Sequence, residues 1–251
     1  MHLKELTTYL DDFLNIDGIN DTCFNGLQVE GKNEVKKIAF AVDACIDSFD
    51  HAIAAQADML IVHHGQFWEF TNPSITSWNK KRIQKLLDNN ISLYAAHLPL
   101  DRHKEVGNNA QLLKLLDAEI NRPFYTKKGG NIGWIGKTKN KIKLADIANR
   151  LNNQLQTECI VVPFGNPDIE TISVISGGGG YGGFWESLKE NVDLYITGDS
   201  ADIFQTAKDA QINVIFAGHY ATETVGLKAL AQHLHDTFNI ETEFIELPTG
   251  L

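Results

Sequence analysis

Apolar runs of strand length alternate with amphipathic stretches of helical length along most of this chain, and that alternation limits what it can fold into. Residues 35–43, Val-Lys-Lys-Ile-Ala-Phe-Ala-Val-Asp, read as the first clear strand. A helix is expected over 47–57, a short buried strand over Met59–Val62, a helix over 79–89, a strand over Ile91–Ala96 and a helix over 107–117. Such alternation predicts an α/β fold, with helices covering a mainly parallel sheet. The second half repeats the grammar. It has strands over 169–176, Val192–Thr197, Ile212–Ala217 and 240–247, and helices near 183–190, 201–210 and 222–237. A further helix is expected near 143–156, inside a stretch, 121–168, that could belong to either half.

The halves can be overlaid. Ile38 and Leu60 are 22 residues apart, as are Ile172 and Leu194, and Ala57–Ile61 sits over Val192–Ile196. Ile91–His97 sits over Ile212–His219 with one slip, and the first half carries extra residues around Gln66 to Trp78. We infer an internal duplication: two three-layer α/β/α lobes with mainly parallel sheets, residues 1–125 and 126–251.

Three strands end on groups that a core strand does not need. Leu60-Ile61-Val62 runs into His63 and His64, although histidine is only an intermediate core residue. Ile91–Ala96 runs into His97-Leu98-Pro99-Leu100-Asp101, and Ile212–Gly218 into His219-Tyr220-Ala221-Thr222-Glu223. The last two share a His-x-x-x-acid pattern. Parallel α/β sheets bind ligands beyond the carboxyl ends of their strands, so four histidines and two carboxylates are expected to gather there. Imidazole nitrogens with carboxylate oxygens suit borderline transition metals. Six ligands exceed what one four-coordinate ion needs and fit two ions about 3.5–4 Å apart. Neighbours on a strand point to opposite sides, so His63 and His64 are each expected to serve a different ion. His97 is either a ligand or, through the turn at Pro99, a group that orients Asp101.

Other features are less specific. In the overlay Asp199 of Ile-Thr-Gly-Asp falls on His64. It is either a carboxylate facing the site or the N-cap of the helix after residue 200. His103 is close enough in sequence to Asp101 to carry protons. His2, His51, His233 and His235 read as surface residues. Ser176-Gly177-Gly178-Gly179-Gly180-Tyr181-Gly182-Gly183 follows a strand and precedes a helix. It could cradle a phosphate or serve as a tight turn, and it lacks the Lys-Ser/Thr ending of a Walker A loop. Phe67 and Trp68 could wall a planar substrate or pack in the core.

Composition narrows the classes. With 22 Lys+Arg against 32 Asp+Glu, the net charge of −10 argues against a general nucleic-acid binder, while a local basic pocket stays open. Cys23, Cys45 and Cys159 are far apart, show no CxxC spacing, and read as small hydrophobes in a reducing compartment. The first residues look like an amphipathic helix with Leu3, Leu6 and Leu10 on one side, not a signal peptide. No run approaches the roughly 18 apolar residues of a membrane span. A cytoplasmic protein is expected.

Asn25-Gly26-Leu27-Gln28-Val29-Glu30-Gly31, Val62-His63-His64-Gly65, His97-Leu98-Pro99-Leu100-Asp101, Gly107-Asn108-Asn109-Ala110 and Gly218-His219-Tyr220-Ala221-Thr222-Glu223 are an ordered set spanning nearly the whole chain. In this set the chain resembles the Nif-three-like dinuclear-metal family, in its short form, whose bacterial members are often called GTP cyclohydrolase I type 2 homologues. The resemblance implies a duplicated α/β fold with interlocked lobes, two divalent metal ions per chain in the cleft between them, and a toroidal homohexamer. It implies ligands at His63, His64, Asp101, His219 and Glu223, with His97 beside them. Where the Ile-Thr-Gly-acid motif can carry Glu, this chain has Asp199, one methylene shorter. Iron, zinc, manganese and nickel suit such ligands alike.

The expected function is a dinuclear metal-dependent hydrolase acting on a small molecule, with GTP ring opening to dihydroneopterin triphosphate as the named reaction. Glu223 would bridge or orient the metals, and Asp199 or His103 would move protons. The alternatives are a dinuclear phosphoesterase acting on nucleotides, and a non-enzymatic metal-binding ring that regulates or chaperones a partner.

Overall fold

The structure is a computed structural model of the chain and describes residues 1–127 and 129–250. In chain order it begins with α1 (Leu3–Leu14), β1 (Gly26–Val29), β2 (Lys37–Asp43), α2 (Ile46–Ala54), β3 (Met59–His64), α3 (Ser77–Asp88), β4 (Ser92–Ala95) and α4 (Leu98–Arg102). There follow α5 (Asn108–Leu115), β5 (Ala118–Lys127), β6 (Gly130–Lys143), α6 (Leu144–Leu155), β7 (Ile160–Pro163) and β8 (Asp168–Ile175). The chain closes with α7 (Gly180–Lys189), β9 (Leu194–Thr197), α8 (Phe204–Ala210), β10 (Asn213–Phe216), α9 (His219–Phe238) and β11 (Glu241–Phe244). It divides into two compact units, residues 1–100 with 227–247, and residues 101–226 with 248–251.

The first unit holds a five-stranded sheet in the order β1-β4-β3-β2-β11, parallel except for the edge strand β1. Ile38 to Val42 are all buried, the continuous apolar run of a strand covered on both faces. Successive side chains of β3 divide between those faces. Leu60 and Val62 join Phe49 and Ala52 of α2 and Leu86 of α3 in one core cluster, while Met59 and Ile61 are equally buried on the other side. α1 is held by Leu3, Leu6, Leu10 and Leu14, buried at helical spacing. α2 starts with a capping box in which Cys45 takes the place usual for Ser or Thr. Its Sγ accepts from the Ser48 N–H at 3.4 Å, and the Ser48 hydroxyl accepts from the Cys45 N–H at 3.0 Å.

The second unit holds a six-stranded sheet in the order β5-β6-β8-β9-β10-β7. Its middle, β8-β9-β10, is parallel, and antiparallel strands flank it on both sides. Ile172, Val174, Leu194, Ile196 and Ile215 pack with Leu112 and Leu113 of α5 and Ile147 and Leu151 of α6. On the opposite face the Ser173 hydroxyl meets that of Ser187 on α7 at 2.9 Å. Both units are therefore layered α/β structures around a parallel β-α-β-α-β core.

The duplication has a polar signature as well. Asp58, just before β3, accepts the N–H groups of Lys36 and Lys37 at the start of β2 (2.9 and 3.3 Å). Asp193, just before β9, accepts those of Glu170 and Thr171 near the start of β8 (3.0 and 2.8 Å). These carboxylates pin the register of each first strand pair. That register agrees with Ala57–Ile61 lying over Val192–Ile196, since Ile38 lies opposite Met59 and Ile172 opposite Leu194; the equivalent of Leu194 is therefore Met59, one residue before the Leu60 that the 22-residue spacing picks out.

Two other expectations change. The stretch 121–168 belongs to the second unit, where β5 and β6 form its long antiparallel hairpin. A boundary at 125/126 would cut through β5, and β11 pairs with β2 in the first sheet. Among the described residues, no helix is long and apolar enough to cross a membrane.

Candidate metal centre

In the first unit the sheet delivers His63 and His64 as the last two residues of β3. Asp43 is the last residue of β2 and lies in register opposite His64. Its Oδ1 accepts the His64 Nδ1–H at 2.8 Å. His63 is fully buried, and its Nδ1 donates to the Ala96 carbonyl just beyond β4 at 2.9 Å. His97 is the next residue. Its Nδ1 donates to Asp21 Oδ2 at 2.9 Å, and its backbone N–H to Asn25 Oδ1 at 2.7 Å. The ring centroid of His63 lies 4.9 Å from that of His64 and 5.0 Å from that of His97. One ligand atom from each of the three histidines lies within 4.8 Å of the others.

Carbonyl and carboxylate oxygens only accept hydrogen bonds. Each of these imidazoles therefore carries its proton on Nδ1, and Nε2 is the lone-pair nitrogen of the neutral ring. Metal-binding histidines are held by this kind of bond. Burial by itself would raise the Asp21 carboxyl. The hydrogen bonds from His97, Asn25 and the Leu98 N–H outweigh burial and hold it well below the usual carboxylate range. The turn after the double histidine is tied down by Gln28, whose Oε1 accepts from the Gln66 N–H at 2.7 Å. Gly65 has no room for a side chain: a Cβ would lie 2.4 Å from Gln28 Nε2 and 2.7 Å from the Ala95 methyl.

The second unit holds another donor set. Asp101 lies on α4 and is buried; its Oδ1 accepts from Asn108 Nδ2 and from the Ser176 hydroxyl, each at 2.8 Å. Asn109 ties the same corner by donating to the Asp101 carbonyl at 3.1 Å and accepting the Ser176 N–H at 2.6 Å. His219 opens α9, one turn before Glu223, so helical spacing places the two side chains together. His219 Nε2 lies 3.2 Å from Glu223 Oε1, and His219 Nδ1 lies 2.8 Å from Asp199 Oδ1. The hydrogen bond to Glu223, opposed by burial and joined by the charge of Glu223 and the bond to Asp199, pushes the His219 imidazole up to about 9.

The glycine-rich loop packs directly on this set. Gly177 has φ +56°, and a Cβ there would stand 2.1 Å from Glu223 Oε1. The first half of the loop is engaged as a turn. The N–H groups of Ser176, Gly177 and Gly179 already donate to Asn109, Thr222 and Thr197, and Gly180, Gly182 and Gly183 lie in α7. Asp199 is not a helix cap, because α8 begins only at Phe204. His103 accepts from the N–H groups of Glu105 and Val106 on its Nδ1 (3.3 and 3.2 Å), which makes it the cap of that turn. His233 is not a plain surface residue. It stacks on Phe13 with centroids 4.2 Å apart and meets the Tyr9 hydroxyl at 2.6 Å. Burial pushes the Cys23 thiol up to about 12 and that of Cys159 to about 11, so both stay protonated and inert at neutral pH.

The structure thus gathers His63, His64 and His97 in the first unit, and Asp199, His219 and Glu223 in the second, with Asp101 anchored in the second by Asn108 and Ser176. Sequence reasoning missed the groups that hold these side chains: Asp21, Asp43, Asn108, Asn109 and Ser176. A signal existed for Asp43, an acid ending the apolar strand before the double histidine, and for the Asn108-Asn109 pair. Asp21, in a loop with no periodic pattern, gave none.

The chain matches the family described as Duf34/NIF3 (NGG1p interacting factor 3) over residues 1–249. A relative from Pyrococcus abyssi named GTP cyclohydrolase 1 type 2 homolog is 46% identical over 253 residues, covering 100% of both chains. Among solved structures, the protein ybgI, titled as of unknown function, is similar with a TM-score of 0.92 at 32% identity, covering 100% of both chains. TTHA1606 from Thermus thermophilus is similar with a TM-score of 0.89 at 39% identity, again covering 100% of both chains.

Proposed function

Because the chain belongs to the Duf34/NIF3 family, we propose that its two donor sets bind two divalent cations and that it is a metal-dependent hydrolase. His63, His64 and His97 are the ligands from the first unit, and Asp101, His219 and Glu223 those from the second. The observation that carries the reading is the way the imidazoles are held. Four histidines each place Nδ1 on a carbonyl or carboxylate (Ala96, Asp43, Asp21 and Asp199), which leaves Nε2 as the nitrogen for a cation; that of His219 lies beside the Glu223 carboxylate, itself a candidate ligand. The donor chemistry, nitrogen with carboxylate oxygen, fits zinc, iron, manganese or nickel.

Bound divalent cations supply Lewis acidity, polarising an oxygen and lowering the pKa of water from about 15.7 toward 7. The chain's own residues do the rest. Asp21, Asp43 and Asp199 fix imidazole orientation, and Asn108 with Ser176 fix the Asp101 carboxylate. Asp199, on the Nδ1 side of His219 and 48% exposed, is the carboxylate placed to take a proton at the site. His103, engaged as a turn cap, is the weaker proton carrier. The name of the relatives supports one reaction above others: opening of the GTP imidazole ring by water at C8 with loss of formate, on the way to dihydroneopterin triphosphate. Phosphoester cleavage is less well supported, since the relatives' name points to ring opening and three N–H groups of the glycine-rich loop, those of Ser176, Gly177 and Gly179, are engaged within the chain. The family resemblance extends the reading to a ring of six copies.

Metal analysis of the purified chain tests the centre. Two ions per chain are expected, falling on Asp101→Ala or Glu223→Ala; no bound metal would sink the reading. Metal-loaded protein given GTP should release formate and develop a pterin chromophore. Phosphate release from mixed nucleotides would favour a phosphoesterase. No turnover, with a pull-down partner indifferent to His64→Ala, would favour a scaffold.

A further inference from the structure

The two repeats differ most just after the strand that carries the double histidine. In the second unit β9 is joined to α8 by residues 198–203; in the first unit β3 is joined to α3 by residues 65–76. The longer connection contains Phe67, Trp68 and Phe70, and Trp78 follows it on α3. Core packing explains only part of this. Phe67 and Trp68 are half-buried against the first unit's core, but Phe70 is 74% exposed. The face of Trp78 is already engaged, with the Arg82 guanidinium 5.1 Å from its ring centroid.

Trp68 is held from three directions. Its indole N–H donates to the Gly65 carbonyl at 2.8 Å. The flanking backbone is stapled to the loop that carries Asp21: Phe24 N–H donates to the Phe67 carbonyl at 3.1 Å, and Glu69 N–H to the Thr22 carbonyl at 2.9 Å. Its ring meets His97 edge-on at 5.0 Å and lies 6.1 Å from His64. Phe70 continues outward at 5.5 Å, with its plane 33° from that of Trp68. An unbroken series of rings therefore runs from the candidate metal-binding imidazoles to the surface. Because the indole N–H is spent, what the partly buried Trp68 and the exposed Phe70 offer together is π-surface, and flat rings stack on such surfaces with little preference for their hydrogen-bonding edges.

We propose that the 65–76 arm is the substrate-ring subsite, with Trp68 as the stacking residue and Phe70 as its outer wall, and that the ligand is a planar nitrogen heterocycle such as a purine or pterin. The inference rests on the metal-centre reading only for what the ring is held beside; the stacking itself does not need the metal.

The test is titration calorimetry of the full metal-loaded chain with GTP, guanosine and inorganic tripolyphosphate. Trp68→Leu should weaken GTP and guanosine about tenfold, the order expected for losing one base–aromatic stack. Trp68→Phe should recover most of the loss, and Phe70→Ser, at an exposed position that does not threaten folding, should weaken both severalfold. Tripolyphosphate binding and metal content should stay unchanged in all three variants. The proposal is overturned if wild type binds neither GTP nor guanosine, or if Trp68→Leu binds them as tightly as wild type. It is also overturned if tripolyphosphate weakens as much as GTP, or if Phe70→Ser changes only the oligomeric state. Guanosine binding through Trp68 by a chain that holds no metal would defeat the metal reading while leaving this one standing.

Discussion

Asp21→Asn tests how the first unit holds His97. The Asp21 side chain is only 2% exposed. Its Oδ2 accepts from His97 Nδ1 (2.9 Å), Leu98 N–H (3.0 Å) and Asn25 Nδ2 (3.0 Å); its Oδ1 accepts from Cys23 N–H (3.2 Å) and, more loosely, from His97. Asparagine has one oxygen where aspartate has two. Its best orientation keeps that oxygen at the Oδ2 position and puts an NH2 group against the Cys23 N–H. The variant then loses one bond outright and the charge behind the others. Hydrogen bonds to charged groups contribute roughly 1.5–3 kcal/mol each, and a buried donor left facing a donor costs a further ~1 kcal/mol. A net loss of about 2 kcal/mol is the low end, or about 4–8 °C in the melting temperature of a chain this long. If His97 binds metal as proposed, the same change loosens a ligating imidazole, for which losses of about 10–100-fold in metal affinity are typical. Thermal unfolding of the metal-free chain and chelator competition with the loaded chain measure the two effects separately. A variant that melts with wild type and binds metal as tightly would refute the claim that Asp21 positions His97.

Further outcomes follow from other residues. Asp58→Ala and Asp193→Ala each strip two backbone N–H partners from the first parallel strand pair of their unit. Each should cost about 2–3 kcal/mol at pH 7 in denaturant unfolding; a loss in only one unit would contradict the shared device. Burial alone would raise the Asp58 carboxyl, but Lys32 and the N–H groups of Lys36 and Lys37 hold it below its ordinary value of 3.8. Its contribution is therefore present above about pH 4 and fades as pH falls through the lower folded value. The gap between wild type and Asp58→Ala should close on acidification, and a gap that widened would reverse the sign of the argument. Gly65→Ala inserts a methyl 2.7 Å from that of Ala95 and should destabilise by about 1–3 kcal/mol, with weakened metal retention beside the double histidine. Unchanged unfolding would show that the turn yields easily.

What the sequence determined is whatever depends on local pattern. Runs such as Ile38–Val42 and Leu60–Val62 are apolar enough to be strands only if both faces are covered, and they form β2 and β3 of a layered α/β unit. The helix that opens on His219 puts Glu223 one turn away for the same local reason, because four residues make a turn. The edge strands were less legible. β1 and β7 are short, and the long β5–β6 hairpin carries Lys, Asn and Gly where a strand pattern would need apolar alternation.

Tertiary structure alone decided which polar groups answer one another. Asp21 meets His97 across 76 positions of sequence, Ser176 meets Asp101 across 75, and Asp43 meets His64 across 21. It also decided that the N–H groups of Ser176, Gly177 and Gly179 in the glycine-rich loop are taken by Asn109, Thr222 and Thr197. Periodicity reports which face of an element is buried. It carries no record of which buried donor faces which acceptor, since a hydrogen bond depends on a distance of about 3 Å that only the packed sheet and its loops can set.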